Sequence, residues 1–136
     1  MGKLSSLKTE LFEVLLKISH KKMAQPLLRY FFNHMDQLLP VDRLFENEHW
    51  LSFYHPKPDY PLHILILPKH AVRSLMDTAC EDPEFFKDLF DVVKALIAEF
   101  KLEEHAYRLI TNGGANQSIP QWHWHLVSEK KGGEDA

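Results

Sequence analysis

The chain has 136 residues, enough for one domain with its own core, and its 45% hydrophobic and 26% charged content is that of an ordinary globular protein. A formal net charge of -3 leaves no electrostatic footprint for nucleic acid, and no apolar run approaches the roughly 18 residues that span a bilayer, so neither nucleic acid nor membrane is expected as a partner. The single cysteine, Cys80, excludes an internal disulfide and a cysteine-rich zinc site, and with no secretory pattern at the N-terminus a cytoplasmic protein is expected.

Leu4, Leu7, Leu11, Val14, Leu15 and Ile18 recur at helical spacing and predict a first amphipathic helix. A second is expected over residues 23–39. Leu27, Leu28, Phe31, Phe32, Met35 and Leu38 form its apolar face, Pro26 fits its first turn and Pro40 stops it. Residues 1–40 therefore read as a helical extension capping the domain that follows, residues 41–136. Rough alternation predicts a strand over 48–54, closed by the two prolines of His55-Pro56-Lys57-Pro58-Asp59. The apolar run 62–67, ended by Pro68, reads as a central strand; residues 69–81 carry no clear pattern.

Asp82-Pro83-Glu84 is a helix start, with Asp as N-cap, Pro at the first position and Glu at the positive end of the dipole. Phe86, Leu89, Phe90, Val93, Ile97 and Phe100 are expected on the buried face of the long helix that follows. Residues 106–111 should be a strand, 112–116 a turn, 118–128 the last strand and 130–136 a polar tail. No internal repeat is visible. The order of elements predicts an α+β fold with a mainly antiparallel sheet.

The chemistry gathers on the last strand. In Gln121-Trp122-His123-Trp124-His125-Leu126-Val127 polar and apolar residues alternate, so Gln121, His123 and His125 should share one face and Trp122, Trp124 and Leu126 the other. Three explanations of the histidine pair stand open. The rings are satisfied by hydrogen bonds as plain structure; or they hold zinc together with His63 from the neighbouring strand; or one imidazole is a nucleophile while the other handles a proton. The loop Asn112-Gly113-Gly114-Ala115-Asn116-Gln117-Ser118-Ile119-Pro120 favours the third, because its amides and the Ser118 hydroxyl could cradle phosphate oxygens beside the rings. Trp122 and Trp124 read as core or dimer-interface anchors, Lys69 and His70 as solvated strand ends, and Cys80 as a small buried apolar residue. His20, His34, His49 and His105 carry no partner pattern.

The stretch from Gln117 to Val127 resembles the signature of the histidine-triad (HIT) superfamily, Gln-Ser-φ-x-His-φ-His-φ-His-φ-φ with φ apolar. Tyr60-Pro61-Leu62-His63-Ile64-Leu65-Ile66-Leu67-Pro68-Lys69-His70 is similar to the strand that in this family ends in Pro-Lys/Arg-x-His, and residues 44–53 fit its opening strands. The resemblance covers about residues 41–129. It implies a five-stranded antiparallel sheet with a long helix packed on it, usually in a homodimer, and a nucleotide hydrolase or transferase that needs no metal or other cofactor.

The implied substrate is a small nucleotide derivative, a dinucleoside polyphosphate or a nucleoside phosphoramidate. By position His123 would attack the α-phosphate and carry the nucleotide covalently. His125 would contact phosphate or assist the leaving group, and Ser118 and Gln117 would lie beside them. Asn112 would position phosphate or ribose, Phe53 would line the base pocket, and His63 would lie on the strand backing the site. Two positions depart from the family pattern: its first histidine is Gln121 here, and the acidic residue that commonly meets the ribose hydroxyls is His55.

Overall fold

The computed structural model describes Val14, Lys17, residues 25–39 and residues 41–130. The helix expected over Leu4 to Ile18 lies outside the described residues except for Val14 and Lys17, both helical, and the tail beyond Lys130 lies outside them entirely. The described elements are α1 (Gln25–Asn33), α2 (Met35–Leu38), β1 (Trp50–Tyr54), β2 (Leu62–Pro68), α3 (Pro83–Glu99), β3 (Tyr107–Thr111) and β4 (Trp124–Ser128). The second expected helix is thus divided at His34, whose Nδ1–H donates to the Tyr30 carbonyl at 2.8 Å and ends the first stretch.

The strands form one antiparallel sheet in the order β1-β2-β4-β3. Among the described residues it has four strands, not the five expected. The segment that should have opened the sheet contributes a single bridge, Glu46 to Leu51. Side chains replace its ladder. The Ser52 hydroxyl accepts from the Phe45 N–H and donates to the Phe45 carbonyl, while Asn47 accepts from the N–H groups of His49 and Trp50.

The last strand is also shorter than expected and begins at Trp124. Pro120 has no N–H to give, and the Trp122 N–H goes to the Val72 carbonyl at 2.7 Å. Residues 118–122 are consequently tied to the loop after β2.

Helix α3 starts where the sequence says. Asp82 is extended, its carboxylate accepts from the Glu84 N–H, and Pro83 takes the first turn. Its buried face is rotated from the expected one. Phe85, Leu89, Val92, Val93 and Leu96 are buried, Phe86 and Ile97 are partly covered, and Phe90 is 44% exposed. The pin is Trp50, whose Nε1–H donates to the Phe85 carbonyl at 2.7 Å and whose ring lies 4.6 Å from that of Phe85.

Period-two alternation sorts the sheet into two faces. Trp50, Leu62, Ile64, Ile66, Trp122 and Leu126 meet α3 in one core, as expected for the tryptophan side. Leu51, Phe53 and Leu67 meet Leu28, Phe31 and Phe32 of α1 and Leu39 beyond α2 in a second. Asn33 fastens α1 further by accepting from the Ala71 N–H at 2.8 Å. The histidines share this second face, so the N-terminal helix covers the side of the sheet that bears the chemistry.

Candidate active site

Strand register assembles the site. Phe53, Leu65, His125 and Ile110 lie opposite one another in a row across all four strands. One row away, His63 faces Val127. His55 continues β1 opposite His63, donating its N–H to the His63 carbonyl at 2.8 Å. Residues 55, 63 and 125, distant in sequence, thereby form one imidazole cluster. The ring centroids are 4.3 Å apart for His55–His63, 5.1 Å for His63–His125 and 6.1 Å for His55–His125. His123 stands 5.0 Å from His125, ring to ring.

Backbone groups set the tautomers. The Nδ1 of His123 lies 2.7 Å from the Gln121 carbonyl, which can only accept. The proton is therefore on Nδ1, and Nε2 keeps its lone pair. A second chain of bonds runs through His63. Its Nδ1 accepts from the Asp59 N–H at 3.1 Å, so its proton is on Nε2, which donates to His125 Nδ1 at 2.8 Å. Neutral His125 is left with its proton on Nε2. Thr111 holds the strand itself, its hydroxyl donating to the His123 carbonyl at 2.8 Å.

Burial and mutual repulsion keep these rings neutral. Desolvation lowers the pKa of His123, partly offset by the Gln121 carbonyl. It also lowers His63 and His55, the latter helped by His63, while the Asp59 carboxylate works in the opposite direction. His125 feels burial first and then His123, His63 and His55, and is lowered to about 4. At neutral pH the cluster presents an unprotonated nitrogen on His123 and N–H donors around it.

The pair opens on a cavity of about 140 Å³. Phe53, Leu65, Leu67 and Ile119 give it an apolar wall, and His55, Ser118, His123 and His125 its polar lining. Pro56 belongs to that wall too, and Phe32 and Leu39 complete it. Nothing local marks these two as site residues, because in the sequence they read as the apolar side of a helical cap. Ser118 and Ile119 also line a larger open groove of about 680 Å³ that includes Arg73, Gly113, Gly114 and Gln117.

The remaining expected residues fall elsewhere. Gln117 donates through Nε2 to the carbonyls of Arg73 and Ile119, stitching its loop to the one after β2. Asn112 is half-buried and does not line the cavity. Gln121 is 0% exposed. Its Oε1 accepts from the Val72 N–H at 3.0 Å, and its Nε2 donates to the carbonyls of His70 at 2.8 Å and Pro68 at 3.4 Å. Its side chain is spent on backbone; its carbonyl serves the site through His123. Lys69 is paired with Glu46 at 2.8 Å, and Cys80 is half-buried with its thiol pKa raised by that burial.

Among the described residues, His55, His63 and His125 offer three nitrogens within 4.8 Å of one another. That trio differs from the expected set of His63, His123 and His125. The Nδ1 atoms of His55 and His63 already accept from the N–H groups of Lys57 and Asp59. Ligation through Nε2 would put a proton on each Nδ1, facing a backbone donor. Glu48, His49 and Asp88 form a second such group, in which His49 and Asp88 are paired at 2.6 Å.

The HIT domain profile matches residues 37–132. The chain belongs to the HIT family. An uncharacterized HIT-like protein from Helicobacter pylori is 30% identical over 95 residues, 68% of this chain and 88% of the relative. A HIT family hydrolase from Legionella pneumophila superposes with a TM-score of 0.65 at 27% identity, covering 74% of this chain and 92% of that one. A histidine triad nucleotide-binding protein from Candida albicans gives 0.62 at 27% identity, with 79% and 80% covered. This HIT chain thus shares its antiparallel sheet with proteins described as hydrolase and as nucleotide-binding, and α1 lies before the matched region. Among the described residues no helix is long and apolar enough to cross a membrane.

Proposed function

We propose that this HIT protein is a nucleotide hydrolase or nucleotidyltransferase. It cleaves the bond between the α-phosphate and the leaving group of a small nucleotide derivative, such as a nucleoside phosphoramidate or a dinucleoside polyphosphate. The observation that carries the reading is the Nε2 lone pair of His123, aimed by the Nδ1–H bond to the Gln121 carbonyl. Attack by Nε2 forms a P–N bond as the bond to the leaving group breaks. The leaving group departs with the electron pair, near the Nε2–H of His125. His123 then carries the nucleotide as a cationic imidazolium whose Nδ1–H is held by that carbonyl. Water attacks phosphorus and gives up a proton to solvent, the P–N bond breaks with its electron pair returning to Nε2, and the nucleoside monophosphate leaves. The base fits the apolar wall of Phe53, Leu65 and Phe32, and Ser118 can donate to a phosphate oxygen.

In this reading Gln121 stands at the family's first histidine and acts as a backbone staple, leaving His63 to orient His125. The second reading, a nucleotide-binding module without turnover, draws on the same fact, since no third titrating ring from position 121 reaches the pocket. One experiment separates them. Intact-mass analysis after incubation with adenosine phosphoramidate should reveal a nucleotidyl adduct on His123, and His123→Ala should lose at least about 10³-fold in turnover while keeping its fold. Binding with neither adduct nor turnover would establish the second reading.

We also propose a cytoplasmic homodimer. β3 is an edge strand, Phe90 is 44% exposed on α3, and Trp124 Nε1 is buried without a partner among the described residues.

A further inference from the structure

We propose that the pocket takes a nucleotide whose ribose carries a second phosphate ester, and that His55 receives it. The inference rests on the reading of the cavity as a nucleotide site. His55 and Phe53 are two residues apart in extended chain, so they share a face, and both line the cavity. In any nucleotide the sugar lies between base and α-phosphate. With the base on Phe53 and the phosphate at His123, the sugar passes His55.

The chemistry His55 offers there is that of a donor. Its Nδ1 accepts from the Lys57 N–H at 3.0 Å, so the neutral ring presents an N–H at Nε2. Free sugar hydroxyls must donate as well as accept, and a carboxylate suits them best. Among the described residues no carboxylate lines this cavity; its polar lining is His55, Ser118, His123 and His125. A phosphate ester only accepts, which matches the N–H that His55 presents. The carboxylate that acts on the rings of His55, His63 and His125, that of Asp59, is exposed and outside the cavity lining.

Calorimetric titration of the full chain with adenosine 5′-monophosphate and with adenosine 2′,5′- and 3′,5′-bisphosphates tests the inference. One of the bisphosphates should bind at least about tenfold tighter than the monophosphate, the scale of a charge-assisted hydrogen bond. His55→Asp should reverse that order, and His55→Leu, which removes the N–H donor, should abolish the preference. Monophosphate binding equal to or tighter than both bisphosphates, or a preference that survives His55→Leu, would overturn the inference and leave the nucleotide reading standing. If none of the three ligands binds, the nucleotide reading falls and the inference with it.

Discussion

Gln121 and His63 exchange the roles their positions suggest. Gln121 sits in the histidine-rich stretch yet turns its amide into the protein and satisfies the Val72 N–H and the His70 carbonyl. Gln121→Ala would leave the buried Val72 N–H and the part-buried His70 carbonyl unpaired. It should cost about 2 to 4 kcal/mol, seen as a lower midpoint in thermal or urea unfolding; an unchanged midpoint would contradict the staple. His63, expected from the sequence on the strand backing the site or as a third zinc ligand, settles the tautomer of His125. The same rings set an acid limit to stability. Their folded pKa values are lowered from an ordinary value near 6.5, His125 to about 4, so the unfolded chain binds more protons in that interval. Stability should be fully present above about pH 6.5 and fall as pH drops toward 4, with a slope of at most about 1.4 kcal/mol per pH unit for each such ring. Urea midpoints between pH 7 and pH 4 check the direction. A midpoint that rises on acidification would contradict the burial of neutral rings. Residue types and spacing announced His123 and His125; the partner of each ring nitrogen was beyond them, because Lys57, Asp59 and Gln121 act through backbone groups that any side chain could carry.

Among the elements, α3 was the most legible. Its start depends on Asp82, Pro83 and Glu84, adjacent in sequence, and such capping works in any surroundings. Asp82→Ala should destabilise the protein by about 1 kcal/mol in thermal unfolding, with the site chemistry unchanged. Leu89, Val93 and Phe100 are buried as expected, but Phe85 and Leu96 take the places expected of Phe86 and Ile97, because adjacent apolar residues satisfy the helical period in either phase. Trp50 on β1 chose between them through its bond to the Phe85 carbonyl. The shortened β4 and the missing opening strand share a cause. Around Gln121, Asn47 and Ser52, polar side chains took backbone groups that a ladder would have used, and alternation alone does not report that competition.

At the scale of the whole molecule, the N-terminal helical segment borders the candidate site, since Phe32 and Leu39 line its cavity. Light scattering on the eluting peak of a sizing column checks the proposed assembly. Two chains of 16.0 kDa are expected. A monomer at micromolar concentration would overturn the proposed dimer. The sequence by itself determined the class of fold, the bounds of most elements and the pair His123 and His125, since periodicity, capping and motif spacing are local and survive without neighbours. Only the tertiary structure decided which nitrogen of each ring is free, that His55 and His63 stand beside His125, and which helix roofs the pocket. Those depend on strand register and on donors brought from distant positions. Contacts between residues 62 apart, such as His63 and His125, exist only once the sheet has closed.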